Sequence, residues 1–319
     1  IQAITQNLMG MALSDSRRLI RRVIYDDGIL AEDDIDTLVQ AKYKMLDSDA
    51  MLTFEMETAK LHEVAGLRHL KQWLGERKQV FLAQQAPVGL DAPKGILLLG
   101  VQGAGKSLAA KSIAGAWRLP LLRLDFASLY DKYYGETERN LREALRTAEI
   151  MEPCVLWIDE IEKGLSTDDE GGPSQRILGT LLTWMAERDG RVFLVATANN
   201  IEALPPELLR KGRFDEIFFV DLPRAEVRRE IFRIHLLKRE QQIGAFDLEQ
   251  LAAAADGFSG AEIEQAVVAA LYTSYAQQQQ LTMQHLHDEL QRTRPLAVVM
   301  KEHIDALRSW AAERTVMAD

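Results

Sequence analysis

An α/β fold, with a five-stranded parallel sheet domain between an N-terminal helical module and a C-terminal helical lid, is predicted by three features of the sequence. Five short apolar runs, GILLL (95–99), LLRLD (121–125), VLWID (155–159), VFLVAT (192–197) and EIFFV (216–220), alternate with helical patterns. Runs that are apolar throughout belong to parallel strands covered on both faces. The glycine-rich GVQGAGKS (100–107) directly follows the first run, and residues 223–319 return to helix. The expected divisions are 1–58, 59–222 and 223–319.

Residues 1–58 carry helical periodicity and no strand pattern. Ser14 is a candidate cap, Leu19, Ile20 and Val23 share a face, Asp27-Gly28 breaks the helix, and Ile35, Leu38 and Val39 resume it. The sequence starts at Ile1 rather than methionine, which suggests a piece of something longer. Between the second and third apolar runs, DKYYGETE (131–138) precedes a helix with Leu141, Ala144, Leu145 and Ala148 on one face. In the lid, Ser259 and Glu262 form a capping-box pattern. Ile263, Ala266, Val267, Ala270 and Leu271 then line one helical face. There is no internal repeat.

The chain has 319 residues, with 48 acidic against 38 basic side chains and a net charge of -10. That balance argues against a general phosphate-backbone binder, so nucleic acid is not the expected partner. Cys154 is the only cysteine, so no intrachain disulfide can form. Its place before an apolar run suits a buried small hydrophobe, and a reducing, cytoplasmic setting is expected. No apolar stretch reaches the length that spans a bilayer, and no signal-peptide pattern precedes the first helix.

Gly100, Gly105, Lys106 and Ser107 fit G-x-x-x-x-G-K-[ST]. Glycines let such a loop curl so that several N–H groups face one anion, at a helix start whose dipole favours negative charge. Gln102, Gly103, Ala104 and Leu108 complete the loop and first turn. Lys106 is expected to reach the outer phosphates and Ser107 to ligate Mg²⁺. The run VLWI delivers Asp159 and Glu160 to the carboxyl end of a strand, where open parallel sheets bind ligands. There Asp159 can hold the Mg²⁺ shell, and Glu160 can polarise a water for attack on the terminal phosphate. Asn199, in TANN at the end of the next run, could orient the same water or serve only as a turn residue. Arg210 and Arg213 in LLRKGRFD either meet charge on a transferring phosphoryl group or sit on a solvated helix end.

The order GVQGAGKS, VLWIDE, TANN, LLRKGRFD and FSGAEIE resembles an AAA ATPase module and covers about 60–290. The resemblance implies ATP or ADP with Mg²⁺ as cofactors and assigns Lys106 and Ser107 to Walker A, Asp159 and Glu160 to Walker B, and Asn199 to sensor 1. It makes Arg210 and Arg213 arginine fingers acting on a neighbour's nucleotide. HEVAG (62–66) resembles the family's adenine-pocket rim, which implies Val64, Ala65 and Gly66 near the base. Ile231 and His235 fall where the family closes that pocket, and Gly260 and Ala261 match its second sensor. The YYG of DKYYGETE resembles the pore loop, so Tyr133 would grip a threaded chain, with Tyr134 behind it and Gly135 as the bend. GLRHLKQWL, LGTLLTWM and RPLAVVM resemble the conserved-open-reading-frame AAA proteins of cyanobacteria, plastid genomes and bacterial relatives. In that group a degenerate ATPase-like domain precedes the module, and 1–58 resembles its helical tail. The sequence departs from the general pattern at Lys211, where proline is usual, and at Glu216, where arginine often follows GRFD.

A finger that acts across subunits needs a head-to-tail interface, and such interfaces close into rings. The expected protein is an ATPase, hexameric with ATP, that remodels or threads an unidentified protein substrate. The alternatives are a nucleotide-gated scaffold without threading and a DNA-remodelling ATPase. A membrane-anchored AAA protease is disfavoured because H-E-x-x-H is absent. A small-molecule kinase fits less well than water attack.

Overall fold

A computed structural model describes residues 13–27, 38, 41, 52–55, 58, 63–83, 87–126, 137–165 and 173–319. The strands are β1 (Leu52–Glu55), β2 (Gly95–Gly100), β3 (Leu121–Leu124), β4 (Cys154–Ile158), β5 (Val192–Ala198), β6 (Glu216–Val220) and β7 (Val316–Met317). The helices begin with α1 (Leu13–Asp27), α2 (Arg68–Leu82), α3 (Lys106–Trp117), α4 (Thr137–Ile150) and α5 (Pro173–Glu187). They continue with α6 (Ala225–Lys238), α7 (Leu248–Ala254), α8 (Gly260–Ala276), α9 (Met283–Arg292), the single turn α10 (Leu296–Val299) and α11 (Lys301–Ala311). The chain divides into two compact units, the first of 1–58, 74–97 and 110–216, the second of 59–73, 98–109 and 217–319. Strand β2 contributes its first half to one unit and its second half to the other.

In the first unit the strand order is β1-β3-β4-β5 followed by the start of β2. β3 and β4 run parallel with Leu121 opposite Val155, and β4 and β5 run parallel with Ile158 opposite Ala196. Every residue of β4 and β5 is buried, as continuous apolar runs require. Phe81 stacks on Trp117 at 5.0 Å, and Phe193 packs against both rings, at 5.7 and 4.6 Å. Each such ring contributes roughly 2–3 kcal/mol of apolar burial. Cys154 is buried, its sulfur 3.3 Å from the Ala148 carbonyl.

In the second unit the end of β2 lies beside β6, with the Val101 N–H donating to Val220 O at 3.1 Å, and β7 pairs parallel with β6. The helical core holds Phe232, Leu236, Phe258, Ile263, Val267 and Leu286. The capping box at Ser259 and Glu262 forms, and Ile263, Ala266, Val267 and Ala270 are buried on one face of α8. Leu271 is only partly buried against the same core. His285 closes a second capping box with Thr282 at the start of α9.

The structure corrects three expectations. The sheet has seven strands rather than five, because β1 and β7 extend its two edges. β1 lies in the segment read as purely helical, and it runs antiparallel to β3 with Leu52 opposite Leu124. Four residues carry too weak a period to register, and the exposed edge of β3 selects them. Ser14 lies inside α1 rather than at its cap, and Gly28, the expected break, lies outside the described residues. Among the described residues, no helix is long and apolar enough to cross a membrane.

Candidate functional site

In the second unit, β2 runs into the glycine loop and α3 starts at Lys106. Gly100 is required by close approach, since a Cβ there would lie 2.0 Å from the Val220 carbonyl oxygen. Gly103 adopts φ +74° in the left-handed region, and a Cβ there would meet Ser259 Oγ at 3.0 Å. The buried Lys106 ammonium donates to Gly100 O and Val101 O, both at 2.8 Å, while Gln102 and Ser107 are exposed. The Ala261 N–H donates to Gly103 O at 3.2 Å, so the start of α8 touches the glycine loop directly.

Beside this loop is a cavity of about 560 Å³, a size suited to a nucleoside. Ala65, Gly66, Ala104, Ile231 and Gly257 line it, together with Asp319. Two expected pocket residues are not in that lining. Val64 is buried, and its carbonyl accepts from Lys71 Nζ at 2.5 Å. His235, one turn beyond Ile231, has Nδ1 3.4 Å from Glu264 Oε1 and 3.3 Å from Arg239 Nη1. Burial holds its imidazole below the usual value, against the pull of Glu264. Helical spacing could place it near Ile231, but its orientation depends on Arg239, just past α6, and Glu264 on α8.

In the first unit, the parallel register of β4 and β5 brings Asp159, Glu160, Thr197 and Asn199 to one carboxyl end. Thr197, 1% exposed, donates its hydroxyl to Asp159 Oδ1 at 2.7 Å and accepts the Glu160 N–H at 3.0 Å. Glu160 adopts the left-handed conformation, φ 48° and ψ 55°. For a non-glycine residue that is a local strain of the kind that collects at functional sites. Asn199 Nδ2 donates to Glu160 Oε1 at 2.8 Å, and Lys163 ion-pairs with the other carboxylate oxygen. The Asn199 N–H donates to Glu162 Oε1 at 2.8 Å. Burial raises the Glu162 carboxyl above its ordinary value, partly offset by that N–H. Arg123, from β3, reaches Asp159 Oδ2 at 3.2 Å. Sequence reasoning missed Thr197, Glu162 and Arg123. A threonine in an apolar strand and an arginine within LLRLD acquire meaning only from the neighbouring strands.

Arg210 is exposed at the end of a 3₁₀ turn, Pro206–Leu209. Arg213 is half-buried, and its Nη1 donates to Leu182 O at 2.6 Å. Lys211 forms an isolated bridge with Phe214, and Glu216 opens β6. Tyr133, Tyr134 and Gly135 lie outside the described residues.

The donor chemistry fits the expected cofactor in each unit taken alone. The glycine loop and Lys106 provide N–H groups and one cation at a helix start, suited to a polyphosphate. The Ser107 hydroxyl and the Asp159 carboxylate are hard oxygen donors of the kind Mg²⁺ takes.

The sequence profile of the ATPase family associated with various cellular activities (AAA) matches residues 96–222, and that of the AAA+ lid domain matches 245–288. The second domain of SpoVK-like AAA ATPases matches residues 1–49. AAA domain-containing protein ycf46 of Pyropia yezoensis is 39% identical over 317 residues, covering 98% of this chain and 64% of the relative. The ycf46 protein of Trieres chinensis is 40% identical over 315 residues, covering 98% and 63%. Proteasome-activating nucleotidase of Aeropyrum pernix is 38% identical over 194 residues, 59% of this chain and 47% of that protein. The chain spans just under two thirds of the length of these ycf46 relatives. Residues 96–222 thus carry an AAA ATPase domain and 245–288 its lid, and nearly the whole chain aligns with ycf46 AAA domain-containing proteins.

Proposed function

We propose that this chain hydrolyses ATP as one protomer of a ring, hexameric with ATP, and couples turnover to remodelling or threading a protein substrate in the cytoplasm. The observation that carries the hydrolytic reading is the Glu160–Asn199 pair, a carboxylate held by an amide at the end of β4. Glu160 accepts the proton of the attacking water, and Asn199 orients that water and the carboxylate. Lys106 and the loop N–H groups hold the phosphates, with Gly260 and Ala261 bracing the loop. Ala65, Gly66 and Ile231 receive the base. Ser107 and Asp159 would each offer an oxygen to Mg²⁺, which would supply charge neutralisation for the phosphates. Arg210 and Arg213 act on a neighbour's nucleotide, Arg213 after exchanging its bond to Leu182.

The ring and protein-remodelling reading is supported by the likeness to proteasome-activating nucleotidase and by the YYG segment at 133–135. Within the chain, 1–58, which contributes β1 to the sheet, serves as an N-terminal module, 59–222 as the nucleotide-binding domain and 223–319 as the lid. The test is ATPase rate per subunit against protein concentration, with mass by light scattering in ATP, for the wild type and Arg213→Ala. A cooperative rise that the variant loses, with a six-subunit mass, supports trans-acting fingers. A flat, monomeric rate independent of Arg213 overturns the ring and leaves a solitary nucleotide switch.

A further inference from the structure

A line of alternating charge crosses one face of the sheet's β1 edge and ends on the Walker B aspartate. In the antiparallel β1–β3 pair, Thr53 lies opposite Arg123, so Glu55 is on the same face, diagonal to the arginine. In the parallel β3–β4 pair Arg123 lies opposite Trp157, two residues before Asp159. The guanidinium rests over the Trp157 ring, 4.9 Å from its centroid. One end reaches Asp159 Oδ2 at 3.2 Å, and the other lies 3.9 Å from Glu55 Oε1. Lys111 Nζ holds the second Glu55 oxygen at 3.0 Å and also approaches the Trp157 ring, at 5.9 Å. Arg123 Nε is buried without a hydrogen-bond partner, so the side chain has not exchanged all its hydration for protein contacts.

We propose that Arg123 is a built-in cation competing with Mg²⁺ for the Asp159 carboxylate, and that Glu55 on β1 sets the strength of the competition by drawing the guanidinium away. This rests on the reading of Asp159 as the metal-holding carboxylate. Arg123 is thus a positioning residue, and Glu55 acts through it. Only displacement of the guanidinium along the sheet frees the carboxylate. The flat Trp157 face allows that displacement without loss of the cation–π contact. Glu55 comes from β1, outside the 96–222 match, so the segment preceding the nucleotide-binding domain gains a lever on its metal affinity.

The test is a Mg²⁺ titration of binding by a fluorescent ADP analogue to the full chain, read as the Mg²⁺ midpoint at fixed nucleotide. From the strength of partly exposed ion pairs, Arg123→Gln should lower the midpoint about three- to fivefold and Glu55→Gln raise it by a similar factor. In the double variant the Glu55→Gln effect should vanish, because the carboxylate acts only through the arginine. If the Glu55→Gln shift persists in the Arg123→Gln background, the two charges act as independent fields and the proposal is wrong. The proposal also fails if both single variants shift the midpoint in one direction or leave it unchanged. Asp159→Asn separates the underlying reading: if it leaves the wild-type midpoint in place, Asp159 is not the metal-holding carboxylate. Thermal unfolding of each variant without nucleotide identifies any that fails to fold. Where Arg123→Gln fails to fold, Arg123→Lys replaces it: an ammonium lacks the fork that joins Glu55 to Asp159, so the Glu55→Gln shift should shrink in that background, and an undiminished shift overturns the proposal.

Discussion

Replacing Thr197 by valine removes one hydroxyl that serves two groups at the carboxyl end of the sheet. The hydroxyl donates to Asp159 Oδ1 at 2.7 Å and accepts the Glu160 N–H at 3.0 Å, in a residue 1% exposed. The bond to the carboxylate contributes about 2 kcal/mol and the bond from the backbone about 1 kcal/mol. The added buried methyl returns about 0.8 kcal/mol, leaving a net destabilisation of about 2 kcal/mol. The effect on turnover should be larger than the stability change suggests. Glu160 occupies a left-handed conformation that the Thr197 contact helps to hold. Displacement of its carboxylate by about 1 Å would lower kcat by roughly a hundredfold. The assay pairs urea unfolding, followed through the fluorescence of Trp157 on the adjacent strand, with steady-state ATPase kinetics. A lowered kcat with nearly unchanged KM and rescue by Thr197→Ser is the expected pattern. A valine variant with wild-type kcat would refute the claim that this hydroxyl positions Glu160.

Further variants separate binding from chemistry and stability. Lys106→Ala should abolish nucleotide binding measured by calorimetry, whereas Glu160→Gln should bind ATP normally and lose turnover by roughly 10²–10⁴-fold in a phosphate-release assay. Glu162 has a raised carboxyl pKa through burial, so the folded state binds more protons than the unfolded state above the ordinary value of 4.5. Wild-type stability therefore falls as pH rises through that region, and Glu162→Gln, which lacks the titration, should gain relative to wild type in urea melts toward pH 7. His235 has the opposite sense: its pKa is lowered by burial, so the stability it contributes should be lost as pH falls through 6.5, and His235→Asn should flatten that limb of the urea-stability profile. Phe232→Ala, in the fully buried core of the helical lid, should cost about 3–5 kcal/mol in the unfolding of that unit.

Much of this protein was legible in order along the chain. The five continuous apolar runs became five strands because burial on both faces leaves no room for alternation, and β4 and β5 are buried at every position. GVQGAGKS announced its own geometry, since the left-handed Gly103 and the crowded Gly100 need a residue without a side chain. Ser259 and Glu262 were readable as a capping box because the bond spans only three residues. β1 and β7 were not readable: four- and two-residue strands exist only because a neighbouring strand offers its edge.

The phosphate loop, the acidic strand end and the helical lid could be read from the chain alone, because each is set by contacts within a few residues. Packing was needed to tie Asp159 to Glu160 through Thr197, to bring the Asn199 backbone to Glu162 and to stand Arg123 between Glu55 and Asp159. It also turned His235 to Glu264 and left Ile231 at the cavity. The physical reason is strand register. Residues far apart in the chain meet when parallel strands align their carboxyl ends, and that alignment is a property of the packed sheet rather than of any local pattern.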